Sequence, residues 1–117
     1  MKMEISGEGY RIHYDEEGGT VRFSGTLRLS GPDEYAPVES LLGKAIAGGA
    51  RELTIDVCEL EFLNSSGINV LYKFAVNARK IEGLRLTAIG SSRVPWQGKS
   101  LSNLTRLNPK LALNLLA

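Results

Sequence analysis

One cysteine, one histidine and no long apolar run set the first limits on what this chain can be. Cys58, being alone, excludes an intramolecular disulfide and fits a reducing compartment. It lies beside an apolar strand pattern, so it reads as a small buried hydrophobe rather than a reactive thiol. Cys58 and His13 together cannot build a zinc site of the usual His/Cys type within one chain. No stretch approaches the roughly 20 apolar residues that span a bilayer. Met1-Lys2-Met3-Glu4-Ile5 lacks the apolar core of a secretory signal, so cytoplasm is the expected compartment. Charge of one sign is lacking too: 14 basic residues face 13 acidic ones, a net +1. The basic residues are scattered, with no run longer than Arg79-Lys80, so neither nucleic acid nor an anionic membrane finds a general electrostatic grip. No cofactor or metal is expected.

What is present is enough apolar residue, 43% of 117, for one packed core, and a single domain over residues 1–117 is the expectation. The first ten residues show little periodicity and read as a loose lead-in. Tyr10–Tyr14 and Thr20–Ser24 alternate apolar with polar around Asp15-Glu-Glu-Gly-Gly19, the pattern of an antiparallel hairpin. Val38, Leu41, Leu42, Ala45 and Ile46 then fall on one helical face, with Pro32 or Pro37 in the first turn and Gly48-Gly49 as the stop. Leu53–Val57 is a β-branched run suited to a buried strand. Glu59–Leu63 reads as an apolar connection. A second helix carries Ile68, Leu71, Phe74, Ala75, Ala78 and Ile81 inward, with Asn69, Lys73, Asn77 and Lys80 outward. Leu84–Ile89 is a strand, Pro95 opens a third helix with Leu101, Leu104 and Leu107 in the core, and Leu111–Leu116 is a last strand after Asn108-Pro109. The order β-β-α-β-α-β-α-β predicts an α/β fold: one mixed sheet with helices packed on it through right-handed crossovers.

The chemistry concentrates in Leu53–Lys80. A polar tetrapeptide, Asn64-Ser65-Ser66-Gly67, joins strand to helix. Its side chains can accept hydrogen bonds from the free amides of the first turn, and capping alone would explain it. Gly67 lets backbone approach closely whatever docks there. The positive helix end would also tolerate a phosphate on a neighbouring hydroxyl.

The longer stretch IDVCELEFLNSSGINVL resembles the signature of STAS domains, the module of bacterial anti-sigma factor antagonists: a strand ending in aspartate, an apolar turn, Asp/Asn-Ser-Ser/Thr-Gly, then a helix. Pro-Trp-Gln-Gly-Lys-Ser around Trp96 resembles a subgroup of small stand-alone bacterial members. The resemblance implies a non-enzymatic regulator in signal transduction and transcription regulation. Its partners would be a serine protein kinase that doubles as an anti-sigma factor, and a serine phosphatase. Ser65 matches the phosphorylated serine, Ser66 falls at the helix start as a cap, and Asp56 matches an acidic position that supports the loop. Asn64, Ser65, Ser66, Gly67, Asn69 and Lys73 form the implied partner surface. The departure is Asn64, where antagonists usually carry aspartate. It keeps alive a phosphorylation-independent STAS scaffold, or a sensor domain for a small ligand or nucleotide.

Other candidates are weaker. His13 could serve Ser65 as a general base, but no Gly-x-Ser-x-Gly elbow and no orienting acid accompany it. Gly90-Ser-Ser-Arg93 sits between strand and helix, where α/β proteins bind anions. It lacks a P-loop ending, and Gly98-Lys-Ser100 has Arg93 where the upstream glycine belongs. Trp96 is either a partner anchor or packing at the start of the third helix. Many STAS domains continue into a final helix; here Leu115-Leu116-Ala117 would leave an apolar edge that promotes homodimerisation.

Overall fold

A computed structural model describes residues 3–49 and 51–116. Met1, Lys2, Ala50 and Ala117, with the readings that touch them, lie outside the described residues. The element order is β1 (Met3–Gly7), β2 (Tyr10–Asp15), β3 (Thr20–Leu27), α1 (Gly31–Ala47), β4 (Glu52–Leu63), α2 (Ser65–Arg79), β5 (Arg85–Ser91), α3 (Gln97–Leu107) and β6 (Ala112–Leu116). The mixed α/β architecture is as expected from the sequence. The lead-in is not loose: β1 pairs antiparallel with β2, Met3 opposite Tyr14 and Ile5 opposite Ile12. Only Met3 and Ile5 of its five residues turn toward the core, too few to show a period.

The six strands lie in chain order in one sheet, antiparallel through β1-β2-β3 and parallel through β3-β4-β5-β6. Three successive parallel crossovers progress in one direction, and since such connections share one hand, α1, α2 and α3 fall on the same face, where α2 packs against both α1 and α3. Val21, Phe23, Leu53, Ile55, Val57, Leu86 and Ala88 therefore turn under the helices and are buried. The residues between them, among them Arg22, Thr54, Asp56, Cys58 and Thr87, occupy the open face.

β4 departs most from expectation. It runs twelve residues and includes Glu59–Leu63, which had read as a connection. The register against β3 slips twice, between Arg22 and Ser24 and again between Gly25 and Thr26, so β4 carries extra residues at two bulges. Its buried positions go 53, 55, 57, then 60 and 63. The spacing changes from two to three, and the alternation that marks a strand disappears.

The helices hold their expected faces with small shifts. Tyr35, Val38, Leu41, Leu42 and Ala45 are the buried stripe of α1, and Pro32 rather than Pro37 lies in its first turn. Val70 joins the buried stripe of α2, while Ile68 is only partly buried and Ile81 is exposed beyond the helix end. α3 begins at Gln97 instead of Pro95, and Leu107 is only partly buried. Among the described residues no helix is long and apolar enough to cross a membrane. β6 forms one sheet edge and leaves Leu115 and Leu116 39% and 52% exposed.

Candidate functional site

The C-terminal ends of β3 and β4 bring the β3–α1 and β4–α2 loops together. Leu27 is opposite Leu63 in the last rung, and the Asn64 amide donates to the Leu27 carbonyl at 3.3 Å. Asn64 is the hub of this junction. Its Oδ1 accepts from the Gly67 amide at 3.0 Å and from the Tyr35 hydroxyl at 2.5 Å, while its Nδ2 donates to the Leu29 carbonyl at 2.9 Å. One amide side chain thus caps α2, ties it to α1 and fixes the β3–α1 loop. Burial raises the Tyr35 phenol above its ordinary 10.0, so Tyr35 stays a donor to Asn64.

This geometry reassigns two residues. Ser66 is not the cap; it is the second residue of α2, and Asn64 does the capping. Gly67 is buried, and a Cβ there would run into Leu63 and the Tyr35 hydroxyl. Its lack of a side chain admits the protein's own core rather than a docking partner. Asn64 and Gly67 therefore build the loop from inside. Ser65 is exposed at the first position of α2, and among the described residues its hydroxyl makes no hydrogen bond. The Ser65 and Ser66 amides have no intrahelical acceptor, so the positive end of α2 is open beside that hydroxyl.

The use of both ends of the Asn64 amide yields a test of the departure from aspartate. In Asn64→Asp the acceptor for Gly67 and Tyr35 is kept, but a carboxylate oxygen replaces the donor facing the Leu29 carbonyl. Gains from the helix end, about 0.3–1 kcal/mol, do not offset a lost part-buried bond and a repulsive contact of about 1–3 kcal/mol. Urea denaturation is expected to show a net loss of about 1 kcal/mol. A stabilised variant would refute the hub role.

Below the loop, a mostly apolar groove of about 560 Å³ runs along α2. Pro32, Tyr35 and Glu39 of α1 wall one side, and Ser66, Asn69 and Lys73 line it from α2. Lys73 reaches across to Glu39 at 3.7 Å. Ser66, Asn69 and Lys73 are therefore brought into one groove under Ser65. Arg28, which the sequence did not single out, sits at the same end with Phe62: the Arg28 guanidinium lies 4.7 Å over the Phe62 ring, which is 38% exposed. Of the apolar pair Phe62-Leu63 expected to anchor the loop, only Leu63 is buried. Tyr35 was also missed as a member of the site.

Asp56 does not support the loop. It lies in the middle of β4 on the open face, opposite Arg22, whereas Asn64 lies one residue past the Leu27–Leu63 rung, roughly 20 Å further on at about 3.3 Å per residue of β3. There its Oδ1 accepts from the Cys58 amide at 3.0 Å across the bulge, and Arg22 approaches at 3.6 Å. Cys58 is half-buried on the same face rather than in the core. Burial, with Asp56 alongside, pushes its thiol up to about 11, so it stays neutral at pH 7. His13 lines an open-face cleft with Arg11, Arg22, Asp56 and Cys58, and Ser65 has no part in it.

The Gly90-Ser-Ser-Arg93 turn is filled by the protein itself. Gln97 Oε1 accepts from the Ser91 amide at 2.7 Å, the Leu116 carbonyl takes the Ser92 amide at 2.8 Å, and Ser91 Oγ takes the Arg93 amide at 3.2 Å. No successive free amides remain there for an anion. Trp96 is partly buried, its indole donating to the Leu60 carbonyl at 2.9 Å, which makes it packing at the start of α3.

No family model matches the chain, and no curated protein does. Solved structures do. Apo-SiaC from Pseudomonas aeruginosa superposes with a TM-score of 0.75 at 14% identity, covering 100% of this chain and 99% of its own. SiaC in the crystal structure of the diguanylate cyclase SiaD in complex with its activator SiaC, from the same organism, gives 0.72 at 17%, covering 97% and 98%. An anti-sigma factor antagonist from Mycobacterium paratuberculosis gives 0.59 at 19%, covering 96% and 84%. The chain has the STAS-like fold.

Proposed function

We propose that this protein is a non-enzymatic regulatory module that binds a protein partner through the Ser65 loop and the exposed face of α2. Phosphorylation at Ser65 releases the partner. The observation that carries this reading is the division of labour in the loop. Asn64 does the capping, so Ser65 stands exposed with an uncommitted hydroxyl beside the open end of α2. A serine needed only for capping would be bonded to its own helix.

The partner is a serine kinase or anti-sigma-type regulator, with a serine phosphatase to restore binding, in a cytoplasmic setting where ATP is at hand. The fold likeness widens the partner class to signalling enzymes. SiaC, which superposes with a higher TM-score than the antagonist and over almost its whole length, is named as the activator of a diguanylate cyclase. Ser66, Asn69 and Lys73 supply polar contacts along the groove, and its apolar walls take the buried part of the interface. The phosphorylation-independent scaffold leaves the free Ser65 hydroxyl unexplained. A small-ligand sensor finds no open anion cradle at the Gly90 turn.

The direct test is phosphorylation by a serine kinase of the anti-sigma type with ATP, followed by localisation of the phosphate by mass spectrometry. Modification at Ser65 is expected. Phosphate only outside Ser65 and Ser66 would overturn the reading.

A further inference from the structure

We propose that Arg28 receives the phosphate of Ser65, and that in doing so it leaves the ring of Phe62. This rests on the reading of Ser65 as the modified residue and assigns how the modification is felt. Residue 28 is held close to the loop on both sides. The carbonyl of Leu27 takes the Asn64 amide, and the carbonyl of Leu29 takes the Asn64 side chain. Ser65 is the next residue. Arg28 is exposed, and among the described residues no carboxylate pairs with it; its one contact of note is the 4.7 Å stacking on Phe62.

Nearby acids are placed otherwise. Glu8 lines the same small cleft as Arg28 without an ion pair to it, and Glu34 accepts from the Ser30 amide. Lys73, the cation on the groove side, is already paired with Glu39. Of these two cations beside the loop, Arg28 is therefore the uncommitted one among the described residues.

The competition favours the phosphate. An exposed cation–π contact is weak and holds the guanidinium by one face. A phosphate carries roughly −1.5 to −2 charges at pH 7 and accepts two parallel N–H bonds from the guanidinium fork. Phosphorylation then does two things at one end of the sheet. It places negative charge at the start of α2, and it uncovers Phe62, which is already 38% exposed while Arg28 covers it. The phosphorylated protein shows a different surface, with an apolar ring in it, and not merely the old surface with a charge added. A phosphatase can tell the two forms apart on that basis.

The test installs phosphoserine at position 65 by genetic encoding, so it does not depend on any kinase accepting the site. A 31P NMR titration reads the second pKa of the phosphate, ordinarily about 6. It is expected to lie about half a unit lower in the parent protein than in Arg28→Gln, a threefold difference in proton affinity. Arg85→Gln, the same loss of charge at the opposite end of the sheet, is expected to leave it in place. In parallel, the Arg28 side-chain resonances, shifted upfield by the Phe62 ring in the unmodified protein, are expected to return toward random-coil positions on phosphorylation. Equal phosphate pKa in the parent and Arg28→Gln, or an Arg28 still ring-shifted with phosphate present, would overturn the proposal. A kinase that ignores Ser65 would instead count against the functional reading alone.

Discussion

Ser65→Asp is expected to weaken capture of the partner about a hundredfold while leaving the melting temperature almost unchanged. The two halves of that expectation come from one location. Ser65 is the first residue of α2, where an acidic side chain faces the positive helix end and stabilises by a few tenths of a kcal/mol. It is exposed, so folding buries no charge. At an interface the same carboxylate has to be stripped of water or meet a like charge, and a cost of about 2.8 kcal/mol is a hundredfold in affinity. Ser65→Ala removes the hydroxyl without adding charge and is expected to bind within a few-fold of the parent. Ser65→Asn, which adds the bulk of aspartate but no charge, separates steric from electrostatic loss. Isothermal titration or surface-immobilised binding reads all three. If Ser65→Asp and Ser65→Asn fall equally, the loop docks by shape, and phosphorylation is not an electrostatic switch. If neither falls, the partner does not use this loop.

How much of this could be read from the residues alone depended on the range of the interactions. The hairpin and the three helices showed because strand and helix periods are local. Asp15 closes its own turn by accepting from Glu17 and Gly18, and the α1 stripe repeats every three or four residues. The candidate loop showed for the same reason, as four adjacent polar or small residues between two apolar patterns. What stayed hidden was set at long range. Asn64 is a hub only because Tyr35 and Leu29 arrive from 29 and 35 residues away, and no local pattern in the tetrapeptide says which of three capping side chains will be used. Asp56 was misplaced by the same bulges that disguised β4. With the strand thought to end near Val57, an aspartate at 56 seemed adjacent to the loop. Arg28 and Phe62 meet through the register of β3 on β4, in which Thr26 is opposite Phe62.

Gln97 is where the fold depends most on a single polar side chain, and Gln97→Leu is expected to cost about 3 kcal/mol of stability. β4 pairs with β5 only over Glu52–Asp56 against Arg85–Ile89. Beyond that rung the two strands part, and the carbonyls of Val57 and Leu60 face a gap under the helices with no strand to answer them. Gln97, 0% exposed at the start of α3, fills it. Its Nε2 donates to Val57 O at 2.5 Å and Leu60 O at 3.0 Å, and its Oε1 takes the Ser91 amide from β5. The amide thus restores, through a side chain, the cross-strand bonds that the splay removes. Gly90 belongs to the same arrangement, since a Cβ there would strike Leu101 and Gln97 Oε1. Leucine is close to glutamine in volume, so the substitution leaves little cavity. Its cost is the orphaned groups, each about 1–3 kcal/mol when buried. Leu60 O keeps the Trp96 indole and is spared; Val57 O and Ser91 N are not. Thermal unfolding is expected to drop by about 10 °C, a large share of the stability of a domain this size. Gln97→Glu is the sharper variant. It keeps the acceptor for Ser91 but sets a buried carboxylate against two carbonyls, and it is expected to be worse than leucine at pH 7. A loss below 1 kcal/mol for both variants would mean that water enters the gap and that Gln97 is not what joins β4 to β5.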